Sequence, residues 1–229
     1  TTSNDNITLT SGGTISDTVG NLISGAVLTT TSVGGTVLDN AHTVTTFNAT
    51  NTGGGAITLV NTAAPLTITG ISQTGSGAVS INNTGAIDIT GSLAAGTGNA
   101  INLTSTGTIT DNGAGLVSGG TLTTISTGGT ILDGANAVTG FTATNATSGD
   151  ITLINTAATL TVGGMTQSSG AGNATVTNTG NLTTTGAIAT RSGNVSLTTV
   201  SPDANERILT VGIAGIQTGV GAVSGGAIT

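Results

Sequence analysis

The chain has 229 residues with nine acidic and two basic side chains, Arg191 and Arg207, giving a net charge of −7 and no cysteine. So little positive charge excludes nucleic acid as a partner and a polybasic membrane patch with it. The lack of cysteine excludes a disulfide framework and any thiolate metal site.

Charged residues make up 5% and aromatics 1% of the chain, with 39 glycines and only two prolines. An abundance of Val, Ile and Thr with almost no charge argues for ordered β structure rather than a disordered linker. Apolar runs stop after two or three residues, far short of the roughly 20 that a membrane helix needs. The start, Thr1-Thr2-Ser3-Asn4-Asp5, carries neither the basic nor the apolar region of a signal peptide.

In chain order, short strands alternate apolar and polar residues: Ile7/Leu9, Ile57/Leu59, Leu66/Ile68, Val79/Ile81, Ile87/Ile89 and Ile101/Leu103. Gly, Asn, Asp and Ser fill the gaps, as tight turns require. Ile57, Val79 and Ile101 fall about 22 residues apart, and Leu66, Ile87 and Ile109 about 21, the spacing of stacked coils.

A longer period lies over this one. Residues 7–74 align without a gap on 101–168, and 39 of the 68 pairs are identical. Gly34-Gly35-Thr36-Val37-Leu38-Asp39 returns as Gly128-Gly129-Thr130-Ile131-Leu132-Asp133, Phe47 as Phe141, and Gln73 as Gln167. These patterns predict one all-β domain over 1–229, a parallel β-solenoid of about ten coils with almost no helix. Its long repeats cover about 7–100 and 101–195. An irregular projecting loop follows at about 201–207 and a final partial repeat at 208–229. Four coils per long repeat, one of them enlarged between Leu28 and Ile57, fit the strands; five coils of about 19 residues is the competing division. Inward Val, Ile and Leu form the core column, Asn61 and Asn155 are candidates for Asn ladders, and Gly serves the corners.

The Ile-Thr-Leu strands, the Gly-Gly-Thr corners, Leu38-Asp39-Asn40-Ala41-His42-Thr43-Val44 and Phe47-Asn48-Ala49-Thr50-Asn51 resemble the repeat regions of filamentous-haemagglutinin-like and autotransporter-like bacterial surface proteins. The resemblance covers nearly the whole chain. It implies a right-handed parallel β-helix exported across the outer membrane of a Gram-negative bacterium to the cell surface or beyond. Neither the N-terminal secretion domain nor a C-terminal anchoring barrel is recognisable, so the chain reads as an interior stretch or a processed fragment. Uncapped ends then imply further coils or stacking of one copy on another.

Residues capable of chemistry are few. Asp17/Asp111 and Asp39/Asp133 are repeat copies, each read as a strand-end turn residue bonding its own backbone. No Asp-rich calcium spacing appears. His42 is the only histidine and its copy is Asn136, so it reads as a polar turn residue without a metal partner. Asp88, Asp150 and Asp203 are scattered, and Arg191 and Arg207 fall in the least regular stretch. Sequons at Asn6, Asn48, Asn102, Asn145, Asn173 and Asn194 match chance in such a composition. No catalytic, cofactor-binding or metal site is expected.

The leading expectation is therefore a non-catalytic structural protein, the shaft of an adhesin or an extracellular filament of a biofilm matrix. Self-association, end to end or lateral, is the expected partnership, with a polysaccharide or a host or neighbouring cell surface next. A polysaccharide-binding module is the alternative; its usual aromatic platform is missing, because Phe47 and Phe141 recur at a periodic core position. A β-helical polysaccharide-degrading enzyme ranks last. A membrane barrel would carry aromatic girdles, and none exist.

Overall fold

The computed structural model describes residues 5–201 and 207–219. They form a parallel β-solenoid with 21 strands in one hydrogen-bonded sheet and, among the described residues, no helix. Every strand pairing is parallel, and each runs between one coil and the next. One ladder passes without a break through Ile15, Thr36, Ile57, Val79, Ile101, Leu122, Phe141, Val162, Thr184 and Val211. Its nine steps give about 43 Å of rod at 4.8 Å per coil.

The chain visits three faces in turn. The first carries Ile7–Thr10, 28–32, 47–51, 71–73, Ser92–Ala95 and 116–118. The second carries Ile15–Ser16, Ile57–Asn61, Val79–Asn83, Ile101–Ser105 and 122–126. The third carries Leu66, Ile87–Ile89, Ile109–Thr110, Ile151–Asn155, Ala174–Asn178 and Val195–Thr199. Coils along the unbroken ladder take 19 to 22 residues as far as Thr184.

Both proposed divisions of the long repeat need correcting. Ile7 starts the first face, its copy Ile101 lies on the second, and Val195, another 94 residues on, lies on the third. One repeat thus winds four coils plus one face. The coil that starts at Leu28 is not enlarged, since Leu28 pairs with Phe47 only 19 residues later. What looked like extra length is a single strand, Thr36–Asn51, that turns its corners without ending: Thr36, Leu38, His42 and Val44 are buried, then Phe47, Ala49 and Asn51, a change of phase by one residue; Thr130–Asn145 repeats it one face further on. The expected loop at 201–207 lies outside the described residues from 202 to 206, as does 220–229 of the last partial repeat.

Alternation places the aliphatic residues inside. Ile57, Val79, Ile101, Leu122 and Phe141 stack directly on one another and are fully buried, as is Phe47 between Leu28 and Ile68. Both phenylalanines sit in the core, as their periodicity predicts. Gly35, at φ +105°, makes a corner where an added Cβ would stand 2.7 Å from the Ala56 carbonyl oxygen, and its copy Gly129 repeats the arrangement at φ +110°.

The expected Asn ladders form at corners where backbone pairing slips. Between Leu38 and His42 the register shifts, and the side chain of Asn61 replaces the missing ladder bonds. It accepts the Val44 N–H at 2.9 Å, donates to the Val44 carbonyl at 3.0 Å and passes a second bond to Asn83 at 3.0 Å. Asn155 does the same for Val138 and Asn178. Each amide keeps buried backbone groups satisfied where the strand cannot.

Candidate functional site

The densest polar cluster occurs twice, at the corner after Ile15–Ser16 and at its copy after Ile109–Thr110. In the first, Asp17 accepts the backbone N–H groups of Asp39 and Asn40 at 3.4 and 3.2 Å and the Asn40 side chain at 2.5 Å. All three donors belong to the next coil, so the carboxylate staples two coils together. In the second, Asp111 accepts the N–H groups of Asp133 and Gly134 at 2.9 and 3.1 Å, also from the next coil. Asp111 further accepts Gly113 N–H at 3.3 Å, the local turn bond expected from sequence.

His42 is not a turn residue. It is fully buried within the long strand, with Nδ1 accepting the Ile23 N–H at 2.9 Å. Nε2 lies 3.0 Å from Asp17 Oδ2, at an angle too oblique for a directed hydrogen bond. Asn136 occupies the equivalent site: Oδ1 accepts the Val117 N–H at 2.7 Å and Nδ2 donates to Asp111 Oδ2 at 2.9 Å. Ile23 and Val117 are themselves repeat copies. The imidazole therefore stands in for an amide, with an acceptor toward one coil and an N–H toward the aspartate.

The two aspartates differ electrostatically. Burial pushes both carboxyls upward. At Asp17 the bonds from Asn40, the Asp39 N–H and the neighbouring His42 outweigh burial and hold it below the ordinary carboxylate value. At Asp111 burial prevails and its value is raised; bonds from Asn136, Gly113 and Gly134 offset it in part, while the side chain of Asp133 adds to the rise.

Asp39 and Asp133 lie inside Thr36–Asn51 and Thr130–Asn145 as outward, exposed residues, not in turns, because the alternation continues through the corner. Asp88 accepts Thr110 Oγ1 at 3.3 Å and Asn112 Nδ2 at 2.5 Å, and Asp150 accepts the Asn173 N–H at 2.7 Å. Asp203 and Glu206 lie outside the described residues. Among the sequons, Asn145 is fully buried and committed to Ser126, Gly129, Gly149 and Gln167. Asn6, Asn173 and Asn194 are exposed.

With both ring nitrogens of His42 buried against Ile23 and Asp17, no substrate atom reaches them; the corner is built to hold coils together. Among the described residues, no group of three or more His, Asp or Glu side chains gathers where it could hold a metal ion. Among the described residues, no helix is long and apolar enough to cross a membrane. The Asp17–His42 pairing was invisible in the sequence because its members are 25 residues apart, one coil plus a corner. The joint change of His42 and its neighbours between copies was the available signal.

Away from these corners, the first face carries two shallow depressions. One, of about 240 Å³, is lined by Asn48, Thr50, Gly70, Ser72, Ser92 and Ala94. The other, of about 360 Å³, is lined by Ala95, Thr97, Ser118, Gly119, Ala137 and Thr139, among others. Neither contains a charged residue. The molecule belongs to the parallel β-solenoids by architecture; no family model, no curated protein and no solved structure matches the chain.

Proposed function

We propose that the chain is a non-catalytic structural shaft, a stretch of exported β-solenoid in an extracellular filament or a bacterial surface adhesin. The observation that carries this reading is the unbroken ladder from Ile15 to Val211, in which each coil is bonded to the next by parallel backbone pairs. A rod so built transmits load along its axis through parallel backbone bonds. Its buried polar side chains are spent on corners and internal ladders. Outward Thr58, Ser80, Asn102, Thr123 and Thr142 form an uncharged rank along the second face, which gives neighbouring rods little repulsion and favours lateral association.

A second reading, contact with a neutral polysaccharide, is favoured by the uncharged depressions on the first face. Antibodies against the purified chain, applied to intact producing cells and viewed by electron microscopy, distinguish the cases. Labelled rods or fibres outside the cell are the expected result, and labelling only after lysis overturns the shaft. Retention on a column of neutral glycan would favour the second reading.

A further inference from the structure

The corner that follows Ile109–Thr110 contains Asn112-Gly113, the only Asn-Gly pair in the sequence. Asn112 is exposed and is the only described residue other than glycine with positive φ, at +47°, and Gly113 follows at +68°. A Cβ built on Gly113 would meet only Asp133 Oδ1, 3.6 Å away, so the glycine side of the corner is open. Two carboxyl groups hold the reacting ends. Asp111 Oδ1 accepts the Gly113 N–H at 3.3 Å, and Asp88 Oδ1 accepts Asn112 Nδ2 at 2.5 Å.

We propose that Asn112 is a self-modification site, at which this corner promotes deamidation of the asparagine to aspartate and isoaspartate. The Gly113 nitrogen attacks Asn112 Cγ, giving up its proton to the Asp111 carboxylate as the N–Cγ bond forms. The Cγ–Nδ2 bond then breaks, and the nitrogen, protonated from solvent, leaves as ammonia. Solvent water opens the resulting cyclic imide at either carbonyl, so the net change is water in and ammonia out. Asp111 acts as a positioned base, and the burial that raises its carboxyl makes the carboxylate a stronger one. Asp88 places negative charge where the leaving nitrogen becomes positive.

The product carboxylate then faces Asp88 in place of an amide donor, and isoaspartate adds one atom to the backbone of the corner. Both changes loosen this coil from the one before it. The first repeat is a built-in control, because Asp17-Thr18-Val19 occupies the same corner and offers neither the amide nor the glycine.

The test is peptide mapping by mass spectrometry of the purified chain, aged at neutral pH in the folded state and in denaturant. The gain of one dalton at Asn112 should run about tenfold faster in the folded chain, below the full effect of a well-placed base because the Asp111 bond is long. An equal or slower rate in the folded chain overturns the proposal. Asp88→Asn keeps the acceptor oxygen and removes the charge on an outward residue, and should slow the folded rate; a rate unchanged while the amides of the next coil keep their exchange protection also overturns it.

Discussion

The corners at Asp17 and Asp111 descend from one sequence and hold their coils with the same scaffold of bonds, yet they carry opposite electrostatics. In the first, burial is outweighed by the bonds from Asn40 and the Asp39 N–H, with His42 adding to them; in the second, burial prevails although the bonds from Asn136, Gly113 and Gly134 oppose it. The bond pattern is thus fixed by backbone donors of the next coil, whereas the direction in which each carboxyl shifts is set by whether those bonds outweigh its burial.

Removing the carboxylate breaks the comparison most strongly. Asp111→Ala leaves the Asp133 and Gly134 N–H groups and the Asn136 amide short of a partner in a buried place, at a cost of about 3 kcal/mol. Asp17→Ala should cost about half as much, since the Asp39 N–H bond it removes is already long at 3.4 Å and the Asn40 side chain keeps the Thr18 carbonyl as a partner. Denaturant unfolding of the two variants measures the difference. Exchanging the partners is gentler. His42→Asn should cost about 1 kcal/mol or less, because the second repeat already uses that residue; Asn136→His must force a ring into a filled site at about 2 kcal/mol.

Acid separates the corners without mutation. The ionised form of Asp17 adds stability that is present above the ordinary value of 3.8 and is lost as pH falls through its lowered folded value. The ionised form of Asp111 costs stability, and that cost disappears as pH falls through a folded value above 3.8. Protection of the Asp39 and Asn40 amides, taken relative to the intrinsic exchange rate at each pH, should therefore fall on acidification while that of Asp133 and Gly134 does not. The smallest effect is expected from Asp133→Asn, which should let Asp111 titrate at lower pH, whereas Asp39→Asn leaves Asp17 in place because the bond it receives comes from the backbone. Carboxyl titration by NMR follows both.

Much of this architecture was legible in the sequence. The parallel coils, the core places of Phe47 and Phe141, the ladders of Asn61 and Asn155 and the spacing of Ile57, Val79 and Ile101 all followed from alternation and repetition. The division of the long repeat did not, for a physical reason. Thr36–Asn51 runs through its corners with no Gly or Pro to mark them, and the one-residue change of phase between Val44 and Phe47 falls at Thr45 and Thr46, which suit either side of a strand. His42 was misplaced for the same reason: a buried polar residue in a bend looks like a turn residue until its neighbours from the adjacent coil are known. Asp39 and Asp133 followed it.

The advance of four coils and one face has a mechanical consequence. A three-sided beam bends most easily in a direction set by how its three faces differ. Because each successive copy of the sequence is turned by a third of a revolution, a segment on the first face in one copy lies on the second in the next, and three copies distribute any difference between segments around the axis. Duplication of a unit that does not close on itself thus yields a beam with no preferred plane of bending, without any residue being selected for that purpose.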